Sequence, residues 1–153
     1  MYDTILLATD GTVASENAAS HAIELAQTHD ADLRVVYVVD ESVYTAYSGD
    51  EYVDEAEGPE HGLEETGEEA LDAIRREAEA AGVDVTGELR HGDPAGTIVD
   101  YADEADADLL VLGTQRRPDE YRALLGSVTD RVLRLASRPA IVVKTEVEGE
   151  ESR

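Results

Sequence analysis

Short apolar runs alternate along the chain with longer stretches in which apolar residues recur every three or four positions. A run of four to eight residues rich in β-branched side chains is typical of a buried strand, whereas spacing by three or four is typical of a helix. One further segment alternates apolar and polar residues, as an edge strand with one solvated face does. The predicted strands are Asp3–Thr9, Leu33–Val39, Val83–Leu89 (the alternating segment), Leu109–Leu112 and Ala140–Val143.

Four helices are predicted between these strands, and each has one apolar face. The faces consist of Ala18, Ala22, Ile23 and Ala26; of Leu71, Ile74, Ala78 and Ala81; of Ala95, Ile98, Val99 and Ala102; and of Val128, Val132, Leu135 and Ala136. Strands and helices that alternate in this way build a parallel sheet with right-handed crossovers and helices on both faces. The sequence therefore predicts a doubly wound α/β domain.

Start and stop signals accompany the predicted helices. Thr12 or Ser15 is available to cap the first helix, and Gly82 follows the second, which is predicted over about Leu63–Ala81. Asp93 is placed to cap the third helix, with a proline in its first turn. These signals separate each helix from the strands on either side of it.

The candidate binding residues lie where two strands end. Ligands of doubly wound sheets bind at the carboxyl ends of the strands, at the point where the strand order reverses. This rule selects Asp10, after the first strand, and Gly113, after the fourth. The last helix begins at Gly126-Ser127, and its free N–H groups and dipole suit a phosphate. The alternative interpretation is that Ser127 simply caps the helix.

The segment 41–62 carries no sustained periodicity. It holds three tyrosines, Tyr44, Tyr47 and Tyr52, among acidic residues, and it is longer than most connections between a strand and a helix. Two interpretations are open: a functional lid, or a mobile excursion on the surface.

Composition and charge narrow the classes of function. At 153 residues the chain is expected to form one domain, residues 1–145, followed by an acidic and frayed tail, residues 146–153. Its 36 acidic and 12 basic residues give a net charge of −24, which disfavours nucleic acid and anionic membranes as partners. Acidic residues throughout the chain, a single lysine and no Phe or Trp are what adaptation to a molar-salt cytosol would produce; an ordinary acidic protein is the alternative.

Several other classes of site do not fit the sequence. Cysteine is absent, which excludes disulfides and thiolate metal sites, and the four histidines are scattered. We find no G-x4-G-K-[ST], G-x-G-x-x-G or G-x-S-x-G motif. No stretch reaches the roughly 18 apolar residues of a membrane span, and no leader precedes the first strand, so we expect a cytoplasmic protein.

Four local patterns together resemble the universal stress protein family. They are ILLATDGT, VVYVVDE, HGDPAGTIVDYA and LGT…LLGSVTDRVLR…RPAIVVK, and they occur in the order of the family's elements over nearly the whole chain. The resemblance implies the adenine nucleotide alpha hydrolase-like fold, with strand order 3-2-1-4-5. The acidic composition favours a halophile-type member of the family over an ordinary acidic one.

The phosphate-binding pattern of the family is altered in one position. Nucleotide-binding members carry G-x2-G-x9-G-[ST] after the fourth strand; here Gly113 and Gly126-Ser127 match, but Arg116 replaces the middle glycine. A side chain there disfavours the positive φ and close approach that glycine allows. A guanidinium can also contact a phosphate directly. Both outcomes are open.

The resemblance implies a set of nucleotide-binding residues. They are Ala8, Asp10, Val38, Gly113, Arg116, Gly126, Ser127 and Val128, around ATP or AMP. Val38 would offer its main chain to adenine, and Asp10 would hold Mg²⁺ when ATP is bound; no catalytic residue is assigned. The alternatives are that Asp10 caps the first helix and that Val38 is simply a core residue.

The resemblance also implies a homodimer, paired through the last strand, 140–143. Three functions are weighed. The first is a stress-response module that binds an adenine nucleotide with little or no turnover. The second is a dimeric interaction protein whose site is closed by Arg116. The third is a slow, metal-dependent ATPase, which lacks an evident general base.

Overall fold

The computed structural model describes residues 2–40, 59–116 and 127–146. In chain order the elements are β1 (Thr4–Thr9), α1 (Val13–His29), β2 (Asp32–Asp40), α2 (Pro59–Ala80), β3 (Val85–Gly92), α3 (Pro94–Ala105), β4 (Leu109–Arg116), α4 (Ser127–Leu135) and β5 (Ala140–Glu146). Of the aperiodic segment 41–62, residues 41–58 lie outside the described residues, and the remainder belongs to α2. None of the described helices has the length and apolarity that a membrane crossing requires.

The five strands form one parallel sheet in the order β3-β2-β1-β4-β5. The predicted fold class and strand order are therefore confirmed. β1 lies in the centre, where Leu7 pairs with Val35 of β2 on one side and with Val111 of β4 on the other. The alternating segment forms β3 at the edge of the sheet, as predicted.

Side chains of the central strand alternate between two hydrophobic cores. Ile5 and Leu7 belong to the core beneath α1 and α2, whereas Leu6 belongs to the core beneath α3 and α4. Because successive side chains of a strand point to opposite faces, a strand covered on both faces must be apolar at every position. This explains why the first, second and fourth strands are almost wholly apolar in sequence.

The helix ends follow the predicted signals. Thr12 is the N-cap of α1 and accepts a hydrogen bond from the Ser15 N–H at 3.3 Å. Asp93 is the N-cap of α3 and accepts one from the Gly96 N–H at 3.0 Å. At the end of α2, Gly82 adopts a φ of +78°, a conformation that glycine tolerates best.

The prediction for the buried face of the last helix was partly wrong. Val132 is fully buried, but Val128 and Leu135 are 39% and 54% exposed, and Thr129 is buried instead. Thr129 can be buried because its hydroxyl donates to the main-chain oxygen of Gly113 at 3.2 Å, which satisfies its hydrogen-bonding group. Hydrophobic spacing alone does not reveal such a partner.

The predicted ends of three strands also require correction. β4 continues past Gly113 to Arg116, and β5 continues past Val143 to Glu146, because these segments pair with each other from Gly113–Val143 through Arg116–Glu146. Residue 146, the first residue of the predicted tail, is thus part of a strand. β3 begins two residues later than predicted and extends to Gly92, which pairs with Asp40.

Candidate functional site

A cavity of about 240 Å³ lies at the carboxyl end of the sheet, above β1. β1 ends at Thr9, whose partner on β2 is Tyr37, but β2 continues to Asp40 and β4 to Arg116. The central strand is therefore shorter than both of its neighbours at this end. The helices that follow β1 and β4 pack on opposite faces of the sheet, so the cavity occupies the switch point at which such folds bind ligands.

Five of the eight residues implied by the family resemblance line this one cavity. They are Ala8, Asp10, Val38, Gly113 and Val128. Asp10 and Gly113, which are more than 100 residues apart in sequence, thus meet at one end of the sheet.

The other three implied residues are placed differently. Ser127 is exposed as the first residue of α4, directly before the lining residue Val128, and is not part of the described lining. The main chain of Arg116 is extended at the end of β4, so this residue continues a strand where a loop had been expected. Gly126 and the side chain of Arg116 lie outside the described residues.

Asp10 organises the turn between β1 and α1. Its Oδ1 accepts hydrogen bonds from the main-chain N–H of Thr12 at 3.0 Å and from the Thr12 hydroxyl at 2.6 Å. Thr12, not Asp10, is the residue that caps α1, so Asp10 acts on the helix through its neighbour. Within the described residues no partner is recorded for Oδ2, and the carboxylate is exposed at the cavity.

Two hydroxyl residues that sequence reasoning did not select, Thr9 and Ser15, also line the cavity. They are 7% and 4% exposed, and the Thr9 hydroxyl donates to the Ser15 hydroxyl at 3.0 Å. Ser15 in turn donates to the main-chain oxygen of Thr12 at 3.0 Å. This chain of hydrogen bonds fixes the first turn of α1 against the end of β1. No motif in the sequence predicts these bonds.

Gly113 has a packing role that the sequence pattern does not distinguish from phosphate binding. A Cβ at this position would lie 2.5 Å from the main-chain oxygen of Ala14 and 3.2 Å from the Cβ of Ala18. The glycine therefore allows α1 to approach β4 closely. This packing requirement alone explains a glycine at this position of the family pattern, and it applies whether or not a nucleotide is bound.

Asp93 and Arg131 join the helices that form the outer wall of the cavity. Nη1 of Arg131, on α4, donates to Oδ1 of Asp93 at 3.0 Å, and Asp93 directly precedes the lining residue Pro94. The Gly96 N–H, followed by the Arg131 guanidinium, holds the pKa of the Asp93 carboxyl below its usual range. The Asp93 carboxyl therefore remains ionised near neutral pH.

The described lining carries negative charge from Asp10 and Asp40 and includes no Lys or Arg side chain. On the opposite face of the sheet, burial raises the pKa of the Tyr37 phenol, and the charge of Asp10 raises it further. Among the described residues there is no group of three or more carboxylate, His or Cys side chains that would hold a metal ion. To bind a multiply charged anion, this cavity would thus need positive charge from groups outside its described lining.

A larger cavity, of about 480 Å³, lies between α1 and α2 on the other face of the sheet. Its rim carries Glu16, Glu69 and Glu77, and its described lining contains none of the residues implied by the family resemblance. Three carboxylates at a rim disfavour an anionic ligand. Size alone does not identify the site, and we assign it to the smaller cavity at the switch point.

A parallel sheet of this order with a cavity at its switch point defines a doubly wound α/β domain, a class in which ligands bind at that point. The model of the Universal stress protein family matches residues 1–144, and the chain belongs to that family. A universal stress protein of Methanocaldococcus jannaschii is 39% identical over 147 residues, which are 94% of this chain and 83% of the relative.

Solved structures agree with this assignment. The universal stress protein UspA from Lactobacillus plantarum has a TM-score of 0.72 at 29% identity, covering 93% of this chain and 97% of its own. The universal stress protein from Archaeoglobus fulgidus in complex with dAMP has a TM-score of 0.66 at 22% identity, covering 94% and 98%. The second likeness shows the shared fold.

Proposed function

We propose that the chain binds an adenine nucleotide, ATP or AMP, in the switch-point cavity and acts as a cytoplasmic, homodimeric stress-response module with little or no turnover. The observation that carries the proposal is the convergence of Ala8, Asp10, Val38, Gly113 and Val128 around one cavity. The dAMP complex of the Archaeoglobus fulgidus protein gives a precedent for this ligand class on this fold.

The cavity has the two kinds of surface that a nucleotide needs. Val36, Val38 and Ile98 supply an apolar wall against which a flat base can be buried. The lining also includes polar groups, those of Asp10 and of Thr129 in the first turn of α4. Main-chain N–H groups at a helix start are free to bind a phosphate, and we assign that role to the segment that contains Gly126, Ser127 and Val128.

Mg²⁺ enters the proposal only together with ATP. Asp10 is the protein ligand that we assign to it, because one oxygen of its carboxylate has no recorded partner within the described residues. The described residues provide no cluster of three ligating side chains. The phosphate oxygens and water would complete the coordination of a hard cation of this kind.

The proposal is tested by isothermal titration of ATP and AMP, in molar KCl and with and without Mg²⁺. We expect saturable binding with one site per chain. The absence of binding up to about 1 mM ligand, the affinity that corresponds to roughly −4 kcal/mol, would contradict the proposal. Binding of ATP that is lost in Asp10→Asn only when Mg²⁺ is present would support the assigned metal ligand.

One observation favours the second candidate function, a dimeric interaction protein without a nucleotide. The described lining presents Asp10 and Asp40 and no basic side chain, which opposes an anionic ligand. In that case Arg116 closes the site. The Arg116→Gly variant, which restores the family glycine, would then bind AMP while the parent chain does not. Equal binding by both would exclude this candidate.

The homodimer is proposed through β5. This strand lies at the edge of the described sheet, and its Ile141 and Val142 are only partly buried. Leu133 and Leu135 on the neighbouring α4 are 36% and 54% exposed. An apolar edge strand favours pairing with a second copy, and exposed apolar side chains on α4 offer further surface for such a partner to cover.

A further inference from the structure

Arg131 lies beside the lining residues of the switch-point cavity, at a place that we call its rim. It follows the lining residues Val128 and Thr129 on α4, and its Nη1 donates to Asp93 at 3.0 Å. Asp93 is held in place by its second oxygen, which accepts the Gly96 N–H at 3.0 Å. One carboxylate thus caps α3 and orients a guanidinium that belongs to another helix.

The geometry of α4 directs the Arg131 side chain toward the helix start. Ser127 and Arg131 are four residues apart and therefore share one face of the helix. Side chains of a helix lean toward its N-terminus, so the Arg131 side chain lies over the first turn. That turn is where the backbone N–H groups lack intrahelical acceptors.

The guanidinium has donors left for a ligand. Arginine carries five N–H donors in a planar fork, and Asp93 is the acceptor recorded for Arg131 within the described part of the chain. A fork of this kind matches the oxygens of a phosphate. The side chain is 55% exposed, so its remaining donors are accessible from solvent.

We propose that Arg131, oriented by Asp93, contacts the phosphate of the bound nucleotide and makes the cavity select phosphorylated ligands over the nucleoside. The inference rests on the nucleotide binding proposed above. It also supplies positive charge that the described lining lacks. Asp10 and Asp40 repel an anion, and Arg131 places one positive charge at the rim.

Arg134 provides a matched control on the same helix. Its Nε donates to Asp130 at 3.0 Å in an i,i+4 pair, and its side chain is 75% exposed. Replacing either arginine by glutamine changes the net charge by the same amount. The two variants therefore differ in the position of the lost charge and not in its size.

The experiment is an isothermal titration of adenosine, AMP and ATP into the wild-type chain, Arg131→Gln and Arg134→Gln, all at the same KCl concentration. We expect Arg131→Gln to lower the affinity for AMP and ATP by about 3- to 10-fold, because one exposed charge-assisted contact is lost. Adenosine should bind all three proteins equally. Arg134→Gln should leave every affinity unchanged.

A further pair of variants separates contact from orientation. Arg131→Lys keeps the charge but loses the planar fork, so it should recover part of the AMP affinity. Asp93→Asn keeps a side-chain oxygen for the Gly96 N–H but weakens the hold on Arg131. It should therefore lower the affinity for AMP by less than Arg131→Gln does, and it should leave the affinity for adenosine unchanged.

Other outcomes overturn the inference in distinguishable ways. Equal weakening of adenosine and AMP in Arg131→Gln would show that the residue only supports the cavity wall. Unchanged affinities for all three ligands would show that it takes no part in binding. If wild type binds none of them, the proposed nucleotide function fails, and the inference with it.

Discussion

Gly113 of β4 and Ala14 of α1 approach each other so closely that a Cβ on Gly113 would lie 2.5 Å from the Ala14 main-chain oxygen. Real atoms do not tolerate this separation, and the obstacle is backbone, which cannot rotate away. The contact sets the height of the first turn of α1 above the sheet. That turn carries Thr12 and Ser15, whose hydrogen bonds connect it to Asp10 and Thr9.

The first prediction concerns Gly113→Ala. The added methyl must push α1 away from β4, and overpacking of this kind costs about 1–3 kcal/mol of unfolding free energy. Since α1 and β4 both border the cavity, we also expect weaker AMP binding. Chemical denaturation in molar KCl measures the first effect, and titration the second.

The control is Gly62→Ala on α2. Gly62 is exposed and has no neighbour within 4 Å of an added Cβ. Alanine is favoured over glycine in a helix by up to about 1 kcal/mol, so this variant should be as stable as wild type or more so. If Gly113→Ala behaves like Gly62→Ala, the close approach is not a constraint on the fold.

The order of the elements could be predicted because the three inner strands of this sheet bury both faces, the edge strand β3 buries mainly one, and each helix buries one. Strands and helices therefore differ in the spacing of their apolar residues, which can be seen in the sequence. The N-caps Thr12 and Asp93 and the helix stop at Gly82 could be predicted because each depends on local chemistry. The resemblance supplied the strand order and named five residues that line one cavity.

Strand ends and tertiary polar partners could not be predicted. β4 extends beyond Gly113 only because β5 pairs with it there, and this pairing leaves no local signal. Thr129 is buried only because the Gly113 oxygen accepts its hydroxyl. Arg131 and Asp93 are 38 residues apart, and only the fold brings them together at the cavity rim.

The second prediction concerns acid stability at the opposite end of the sheet. The Asp108 carboxylate accepts the N–H groups of Thr4 at 2.9 Å and Asp3 at 2.8 Å, and these bonds hold its pKa below the usual range. A group whose folded pKa is depressed stabilises the protein above the unfolded pKa, about 3.9 for Asp. This contribution is lost as the pH falls through the folded pKa.

Asp108→Asn should therefore reduce the unfolding free energy at pH 7 and make its decline below about pH 4 less steep than in wild type. Urea titrations from pH 3 to pH 7, about the range over which such carboxylates titrate, measure both quantities. Asp106→Asn removes the same charge from an exposed position two residues away. Identical pH profiles for the two variants would mean that the N–H groups of Thr4 and Asp3 do not stabilise the carboxylate.

The third prediction tests the proposed dimer. Val142→Lys places a charge on β5 at the edge of the sheet, and lysine on an edge strand opposes pairing with another chain. Light scattering in molar KCl should give a dimeric mass for wild type and a monomeric mass for this variant. Thr86→Lys introduces the same residue on β3, the opposite edge, and should remain dimeric. A monomeric wild type, or a dimer lost only in Thr86→Lys, would contradict the assignment to β5.

The fourth prediction follows from the net charge of −24. Such a charge destabilises the compact state by self-repulsion, and salt screens it, since the Debye length falls to about 3 Å at 1 M. We propose adaptation to molar salt on this basis. The midpoint of thermal unfolding should rise by on the order of 10 °C between 0.1 and 2 M KCl, as a gain of a few kcal/mol would produce.

The acidic rim between α1 and α2 allows the cause of that rise to be tested. Glu16, Glu69 and Glu77 are exposed and border the same 480 Å³ cavity, so their carboxylates repel one another at low salt. Replacing all three by glutamine should stabilise the chain at 0.1 M KCl and reduce its further gain from salt. If the triple variant gains as much from KCl as wild type does, the salt acts through burial of apolar surface, which salts also strengthen, and not through screening at this rim.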